Sequence, residues 1–478
     1  MFAIAGSRFW KPRSPVCAGD FELVPTAYGR YVESMESLPG FRDFEPSTCA
    51  QRNALFHGWR TVARRFGFEE FDGPIAEPLE LFTQKSGEEI VGQLFAFEDK
   101  GGRKMALRPE MTPSLVRILG KNLATLKKPT KLFNITEQFR YERPQKGRLR
   151  SFYQFNADIV GEPSLSAEAE LIALAVESLR FFGLTEEHFY VRLSDRQLWQ
   201  LWLKAFGITD EALVGGILSL LDKWERRPEE DIEKDLAKLL PSSVQTQTFF
   251  DATERLRQCK TLEAIKACFS QQTTDVELSE ALRQRLAEFE KLLHELSALD
   301  CEKFVAVDLT IVRGLAYYTG FVFELFETGN QGRALAGGGR YDQLFEKLTR
   351  HPMPAVGFAA GDVTLTDLLN KYHLLPEYKR KIDVFCVFEE TERDGALRCA
   401  QMLRRKNFSV LYPFGDAKVL SKQLKKAYAE QPRYILIFTH ELSSHGKVQV
   451  KCLADETTRE VGLEEIADVL KEEQKSEA

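Results

Sequence analysis

Two stretches of the chain, 131–141 and 152–159, alternate apolar and polar residues with a period of two. This period predicts two half-buried strands, and the basic segment 144–150 between them predicts a hairpin loop. If the strands pair with their apolar sides on one core, their other side chains share a surface. The side chains expected on that surface are Arg140, Glu142, Phe152, Gln154 and Asp158. The residue types alone also allow an ordinary sheet with a solvated charged face.

Apolar residues recur at helical spacing elsewhere in the chain. Helices are predicted at 47–66 and 166–182, and another is expected to begin at Pro109. Helical periodicity is continuous from 195 to 300, which predicts a small helical subdomain and leaves a generic bundle as the alternative. The apolar stripe of its last helix is formed by Leu278, Leu282, Leu286, Phe289, Leu293 and Leu296.

Short apolar runs predict further strands. The turn sequence Asp-Lys-Gly-Gly at 99–102 predicts a hairpin, and the runs 304–312 and 321–326 predict two neighbouring strands. From residue 379 onward strands alternate with basic helices, which indicates a separate α/β unit with a parallel or mixed sheet. The strands predicted in that unit are 382–388, 408–412 and 434–439.

Composition is typical of a multidomain globular protein. The chain has 478 residues, of which 44% are hydrophobic and 28% charged, and its formal net charge is −6. A chain of this length forms about two to four domains, and no apolar run approaches the ~20 residues that cross a bilayer. The eight cysteines include no Cys-x-x-Cys pair. That spacing argues against a zinc site or a disulfide framework and favours a reducing cytoplasm.

Five motifs carry a resemblance to one enzyme family. Phe-Arg-x-Glu at 139–142, followed by a basic loop and Arg-x-Phe-x-Gln at 150–154, resembles motif 2 of the class II aminoacyl-tRNA synthetases. The loop sequence Glu-Arg-Pro-Gln-Lys-Gly-Arg resembles that of the histidyl-tRNA synthetases in particular. The other matching segments are motif 1 at 74–78, Arg-Gly-Leu-Ala-Tyr-Tyr-Thr-Gly at 313–320, Ala-Gly-Gly-Gly-Arg-Tyr-Asp at 336–342 and motif 3 at 354–365.

The resemblance implies an α+β fold with an antiparallel-sheet catalytic core, a helical insertion and a carboxy-terminal α/β anticodon-binding domain. It also implies a homodimer, because motif 1 of the family lies at the subunit interface. The expected segments are an amino-terminal extension at 1–34, disordered or dispensable, a catalytic core at 35–194 and 301–378, the insertion at 195–300 and the anticodon-binding domain at 379–478.

The activity that the resemblance implies is attachment of histidine to tRNA(His) through a histidyl-adenylate, with ATP and Mg²⁺ required. Formation of the adenylate builds negative charge at the α-phosphorus, which fixed guanidinium groups stabilise. Arg140 and Arg313 are the expected guanidinium groups. Glu142 and Phe152 are expected to bind adenine. No metal site made by protein ligands alone is expected.

A pocket for histidine needs hydrogen-bond partners for both imidazole nitrogens, which a carboxylate and a tyrosine hydroxyl can supply. Asp158 and Tyr318 fit this requirement, and the resemblance assigns the amino group of histidine to Glu110 and Thr112. The other residues expected to bind histidine are Gln154, Tyr317 and Tyr341. The residues expected to contact the acceptor end of tRNA are Gln145, Arg148 and Arg150.

The chain departs from the family pattern in three places. Most members have Glu-Arg where this chain has Val363-Thr364, many have Gly at the position of Met111, and Glu is common at that of Asp158. The family's arginine lies over adenine and touches the terminal phosphate, which a threonine cannot do. Two rival hypotheses stay open, a synthetase-like regulatory subunit and a tRNA-sensing pseudo-synthetase, the second of which is supported only by Thr364. The first would lack the unit that begins near Ile382.

Overall fold

A computed structural model describes most of the chain after the amino-terminal extension. The described residues are 36–83, 92–312, 317–329, 332–378, 380–415 and 419–476. The expected extension at 1–34 and Arg313 lie outside them. Contacts divide the chain into two compact units, Met1–Pro376 and Glu377–Ala478.

The first unit is organised around an eight-stranded sheet. In chain order the strands of this unit are β1 (Glu69–Glu70), β2 (Ala76–Pro78), β3 (Ala96–Glu98), β4 (Lys104–Leu107), β5 (Thr130–Phe139), β6 (Ser151–Val160), β7 (Phe189–Asp195), β8 (Val305–Val307), β9 (Phe321–Glu327), β10 (Ala336–Arg340) and β11 (Ala355–Gly361). The large sheet has the order β1-β5-β6-β11-β10-β9-β7-β8, and β2-β4-β3 form a smaller one. Neighbours in the large sheet are antiparallel except for the parallel pairs β1 with β5 and β7 with β8. The expected α+β fold with an antiparallel-rich sheet is confirmed.

Strands β5 and β6 form the predicted hairpin and pair from Thr130 opposite Val160 to Phe139 opposite Ser151. The expectation of half-buried strands is wrong, because most of the polar side chains on the second face are buried as well. Hydrogen bonds link them: the Gln138 amide donates to the Thr136 hydroxyl at 2.8 Å, and that hydroxyl donates to the Asn134 side chain at 2.9 Å. The polar face therefore lines the interior of the molecule rather than its solvated surface.

The hairpin predicted around 99–102 is observed, since β3 pairs with β4 from Glu98 opposite Lys104. The expected helix start at Pro109 is wrong. The helix begins at Thr112, where Pro113 takes an early helical position. Arg108 holds the preceding segment outside the helix by donating to two backbone carbonyls, those of Gly73 and Glu137.

Helices pack on the large sheet and form the segment inserted between β7 and β8. The helices of this unit are α1 (Pro46–Arg65), α2 (Leu79–Thr83), α3 (Thr112–Gly120), α4 (Ser166–Arg180), α5 (Arg196–Ala205), α6 (Glu211–Leu221), α7 (Glu229–Leu239), α8 (Thr246–Arg257), α9 (Leu262–Gln272), α10 (Val276–Ala298), α11 (Asp342–Thr349) and α12 (Asp362–Lys371). The helices α5–α10 occupy the segment whose periodicity is helical throughout.

The inserted helices share the core of the sheet. Leu198 and Phe249 belong to the same buried cluster as Phe133 of the central hairpin. A direct contact joins the two parts, because the rings of Phe289 on α10 and Phe321 on β9 lie 5.0 Å apart. One continuous apolar interior therefore supports both the sheet and the insertion.

The strand predicted at 304–312 is shorter than expected. Strand β8 ends at Val307, and the chain leaves the sheet at Asp308. The Asp308 carboxylate accepts a hydrogen bond from Arg192 at 2.9 Å and pairs with Lys260 at 2.9 Å. This ion pair network connects β7 to the loop between α8 and α9.

The second unit contains a mixed five-stranded sheet with helices beside it. In chain order its elements are β12 (Val384–Phe388), α13 (Arg393–Arg405), β13 (Val410–Leu411), α14 (Leu420–Ala429), β14 (Tyr434–Phe438), α15 (His440–Ser443), β15 (Lys447–Cys452), β16 (Thr458–Gly462) and α16 (Ile466–Ser476). The sheet order is β13-β12-β14-β15-β16. Its first three strands are parallel and are the ones that the sequence predicts, whereas β15 and β16 add an antiparallel edge. Across the described parts of both units, no helix combines the length and apolarity needed to cross a membrane.

A buried ion pair ties the end of β10 to the start of α4. The five N–H donors of the Arg340 guanidinium all have acceptors, namely both oxygens of Glu168, the carbonyls of Glu162 and Ser164 and the carboxylate of Asp342. Glu168 is 1% exposed. Because every donor is satisfied, this arginine of the glycine motif acts as a structural anchor.

Arg340→Ala should lower the free energy of unfolding by about 3–5 kcal/mol, because it leaves the Glu168 carboxylate buried without its partner. Urea denaturation followed by tryptophan fluorescence measures the first unit alone, since all five tryptophans precede residue 377. As a control, Arg283→Ala removes an exposed ion pair with Glu280 and should cost less than about 1 kcal/mol. Equal losses in the two variants would contradict the structural role of Arg340.

Candidate active site

A cavity of about 1180 Å³ opens in the first unit beside the central hairpin. The sequence-predicted residues that line it are Glu110, Thr112, Arg140, Glu142, Gln145, Arg148, Phe152, Gln154, Asp158, Tyr317, Tyr318 and Tyr341. Arg150 does not line it and instead donates to the carbonyl of Glu142 at the base of the hairpin loop. Arg313 belongs to the residues that the structure does not describe. The polar face of the hairpin and the tyrosine motif therefore meet in one place.

Asp158 lies on the floor of this cavity and is 3% exposed. The Tyr341 hydroxyl donates a hydrogen bond of 2.6 Å to its Oδ1 atom. Burial raises the pKa of Asp158 to about 7; the hydrogen bond from Tyr341 opposes this change, and the nearby charge of Glu110 adds to it. The site thus holds a carboxyl group that can change its charge near neutral pH.

Glycines make room for this carboxyl group. Gly357 on β11 lies directly opposite Asp158 in the sheet. A Cβ atom at position 357 would lie 2.0 Å from Asp158 Oδ1, and one at position 338 would lie 2.3 Å from the carbonyl oxygen of Gly357. Neither contact is sterically possible, so the glycine run and motif 3 together leave space that any larger residue would fill.

A cluster of tyrosines forms the wall beside Asp158. The Tyr317 hydroxyl donates to Glu110 Oε2 at 2.9 Å, which fixes the acid that precedes α3. The ring of Tyr317 lies 5.2 Å from that of Tyr318 and 6.0 Å from that of Tyr341. The two buried carboxyl groups, Glu110 and Asp158, therefore each hold a tyrosine hydroxyl inside one aromatic wall.

The other end of the hairpin carries a cation and an aromatic ring. Arg140 Nε donates to the carbonyl of Pro109 at 3.0 Å, and its guanidinium carbon lies 5.4 Å from the centre of the Phe152 ring. Glu142 forms an ion pair with Arg148, with 3.1 Å between Oε2 and Nε. This end of the cavity can accept a flat ring against Phe152 and an anion beside Arg140.

Motif 3 supplies the strand and helix that close this end. Asp362, the first residue of α12, accepts hydrogen bonds from Arg42 at 2.7 Å and from the backbone N–H of Tyr153 at 2.9 Å. These bonds hold α12 against β6. Thr364 then lies on the wall of the cavity, two residues into the helix.

Sequence reasoning missed several charged residues of the cavity. Arg192, Lys260 and Asp308 line it as one ion pair network, and Arg333 lines it near the hairpin loop. A polar residue inside an apolar strand is a signal that would have singled out Arg192 on β7. No local pattern marks Lys260 or Arg333, because each reaches the cavity from a loop.

The described residues include no group of three or more His, Cys, Asp or Glu side chains arranged to hold a metal ion. The cavity is therefore built from hydrogen-bonding and ionic groups in the part of the chain that the structure describes.

Comparisons with known proteins agree with the motifs. The family model described as histidyl-tRNA synthetase matches residues 40–364, and the model described as anticodon binding domain matches residues 381–473. The first match covers the central sheet, the inserted helices and the cavity. The second lies within the carboxy-terminal unit.

Relatives with the same family name are similar to this chain over most of its length. A histidine–tRNA ligase from Opitutus terrae is 43% identical over 92% of this chain and 99% of its own length. A chloroplastic/mitochondrial histidine–tRNA ligase from Arabidopsis thaliana is 34% identical over 89% of this chain and 85% of its own. The crystal structure of histidyl-tRNA synthetase from Nostoc has the same fold, with a TM-score of 0.70 at 23% identity over 92% of this chain and 99% of that one. This chain therefore belongs to the histidyl-tRNA synthetase family.

Proposed function

We propose that this chain activates histidine with ATP, forming histidyl-adenylate and pyrophosphate, and then transfers histidine to the terminal adenosine of tRNA(His). One observation carries the proposal: a single cavity contains both the buried carboxyl group of Asp158 and the pair formed by Arg140 and Phe152. The group that we assign to imidazole and the groups that we assign to the nucleotide thus line the same cavity.

In the activation step, a carboxylate oxygen of histidine attacks the α-phosphorus of ATP. The bond from that phosphorus to the bridging oxygen of the leaving pyrophosphate breaks. Negative charge grows on the phosphoryl oxygens during the attack, and Arg140 is anchored on the Pro109 carbonyl in a position to stabilise it. We assign the same task to Arg313 from the opposite side.

Adenine is assigned to the Phe152 ring and the Glu142 carboxylate. One oxygen of Glu142 faces Arg148, which leaves the other to accept a hydrogen bond from the amino group of adenine. The ring of Phe152 is half-buried and has one face toward the cavity. Stacking and one directed hydrogen bond are together a common way to hold a purine.

Histidine is assigned to the opposite end of the cavity. Asp158 accepts a hydrogen bond from one imidazole nitrogen, and Tyr318 is assigned to the other. Glu110, Thr112 and Gln154 are assigned to the amino and carboxylate groups. Tyr317 and Tyr341 hold the two acids in place. A site that hydrogen-bonds its substrate so fully rejects analogues lacking those groups by a factor of about 10⁴ or more, so no editing site is required.

In the transfer step, a hydroxyl group of the terminal adenosine attacks the carbonyl carbon of histidyl-adenylate, and AMP leaves. Gln145, Arg148 and Arg150 on the hairpin loop are assigned to the acceptor end. The match of residues 381–473 to the anticodon binding domain supports a second contact with the same tRNA.

Magnesium is proposed to arrive with ATP. Because the described residues offer no cluster of three or more acidic, histidine or cysteine ligands, the phosphates of ATP would supply most of its coordination. A bound magnesium ion would screen the charge of the phosphates.

A homodimer is proposed on the basis of exposed apolar side chains near motif 1. Ile75 is 50% exposed and Phe97 is 46% exposed, and both belong to the region of the small sheet β2-β4-β3. Apolar side chains at such a sheet favour burial against another surface. The proposed partner is a second copy of this chain.

We further propose a reducing cytoplasmic location. Cys259 and Cys268 are free thiols although their sulfur atoms lie 3.4 Å apart. A reducing compartment keeps such a pair in this state. The rival hypotheses of a regulatory subunit or a tRNA-sensing pseudo-synthetase are less well supported, since the residues assigned to ATP and to histidine line one cavity and residues 381–473 match the anticodon binding domain.

Arg140→Ala and Arg313→Ala should each lower histidine-dependent ATP–pyrophosphate exchange by about 10²- to 10³-fold, because each removes a charge that stabilises the transition state. Circular dichroism should show an unchanged fold. The surface variant Arg283→Ala should keep the parental rate. Unchanged exchange in Arg313→Ala would remove that residue from the mechanism.

Asp158→Asn should change how stability depends on pH. The pKa of Asp158 is raised from 3.8 to about 7 on folding. The parent therefore loses free energy of unfolding as pH rises between these two values, and the loss is constant above pH 7. Asparagine does not titrate, so the melting temperature of the variant should rise relative to the parent through this window and then level off.

Thermal unfolding of both proteins at a series of pH values measures this difference. Histidine should raise the melting temperature of the parent by more than that of Asp158→Asn, because a neutral amide oxygen accepts a weaker hydrogen bond from imidazole than a carboxylate does. A stability difference that did not vary with pH would contradict the raised pKa.

The double substitution Ile75→Asp with Phe97→Asp should convert a dimer to a monomer, because it places two charges in the proposed interface. Sedimentation velocity measures the change in mass. Val276→Asp is the matched control, since Val276 is 83% exposed at the start of α10 and lies away from the small sheet in the chain. A double variant that sedimented like the parent would reject this interface.

A further inference from the structure

Thr364 is uncharged, so its side chain brings no positive charge to the corner of the cavity beside Gly147. It occupies the position at which most members of the family carry arginine. Its hydroxyl oxygen is buried and has no hydrogen-bond partner among the described residues. Its methyl group lies 3.7 Å from the point that a Cβ atom on Gly147 would occupy. This short, neutral side chain therefore faces the hairpin loop across a small gap.

Arg333 reaches the same corner from another part of the chain. Its Cδ atom lies 3.2 Å from the same point above Gly147. Its Nη1 atom donates a hydrogen bond of 2.7 Å to the carbonyl of Gly147. The aliphatic part of Arg333 and the methyl group of Thr364 thus both lie beside Gly147, and the charged group of Arg333 is anchored to the backbone of the hairpin loop.

The pairing of the other cations makes Arg333 unusual. Six of the positively charged side chains that line the cavity each pair with a carboxylate, namely Arg148, Arg192, Arg226, Arg227, Arg257 and Lys260. Within the described part of the chain, the lining cations that pair with no carboxylate are Arg140 and Arg333. Positive charge that the protein does not neutralise is available to an anionic ligand.

Resting on the proposed function, we propose that Arg333 binds the terminal phosphates of ATP and supplies the positive charge that Thr364 lacks. A guanidinium group has five N–H donors, and the Gly147 carbonyl takes one of those on Arg333. The remaining donors form a planar fork that suits two phosphate oxygens. Arg140 is assigned to the α-phosphate, so the two cations that pair with no described carboxylate divide the triphosphate between them.

The anchor on Gly147 gives this contact a second effect. Phosphate bound by Arg333 is linked through Gly147 to the loop that also carries Gln145 and Arg148. Nucleotide binding then stabilises the loop that is assigned to the acceptor end of tRNA. The contact between Arg333 and the phosphates would therefore position the hairpin loop as well as neutralise charge.

Arg333→Ala should weaken ATP binding by about 10- to 100-fold, which corresponds to the loss of one or two charge-assisted hydrogen bonds. Isothermal titration with ATP and with AMP in the absence of histidine separates the phosphates from the base. AMP affinity should stay within about twofold of the parent. Arg333→Lys keeps the charge but loses the fork, so its ATP affinity should be intermediate.

A second variant tests whether position 364 and position 333 share one role. Arg333→Ala combined with Thr364→Arg should recover most of the lost ATP affinity, because it returns a guanidinium group to the same corner. Arg283→Ala, on the outer face of α10, should bind ATP as the parent does. Unchanged ATP affinity in Arg333→Ala, or an equal loss for ATP and AMP, would overturn the proposal.

Pyrophosphate exchange separates this proposal from the proposed function. In Arg333→Ala the KM for ATP should rise by about the same factor as the dissociation constant, and the KM for histidine should not change. If the parent showed no histidine-dependent exchange, the proposed function would fail while the ATP titrations still tested Arg333. If the parent exchanged and Arg333→Ala had an unchanged KM for ATP, the inference on Arg333 would fail alone.

Discussion

The structure depends on keeping one carboxyl group inside the central sheet. Asp158 lies between paired strands, where the loss of hydration disfavours its charge. A hydrogen bond from the Tyr341 hydroxyl offsets part of this cost. The neighbouring strand makes room for the carboxyl group because Gly357 has no side chain. The glycine motif and motif 3 are therefore steric conditions for the same acid, although both are far from Asp158 in the sequence.

Charge in the cavity is distributed unevenly, and this unevenness indicates where ligands bind. Toward the inserted helices, Arg192, Lys260 and Asp308 neutralise one another and form a rigid wall. Toward the hairpin loop, Arg140 and Arg333 keep charge that no described carboxylate offsets. A highly charged nucleotide is favoured at the second end, which is also the end of the hairpin loop assigned to the acceptor end of tRNA.

Local patterns predict the hairpin, because alternation with a period of two fixes both its strands and the faces of its side chains. The same patterns fail where contacts between distant residues decide the structure. The polar side of β5 is buried, with Thr136 hydrogen-bonded to both Asn134 and Gln138, and alternation cannot report such bonds. The hydrogen bond from Arg333 to Gly147 joins residues 186 positions apart, so no local signal marks it. The individual roles assigned to the site residues stay predictions.

The shared interior of the sheet and the inserted helices has a consequence for how the chain can change. Phe289 on α10 covers Phe321 of the sheet, so removal of the insertion would expose that strand to water. The inserted helices α5–α10 therefore cannot be removed or exchanged as an independent module without exposing the apolar core. A replacement segment would need an apolar surface that fits Phe321 and its neighbours, so we expect the two parts to have evolved together.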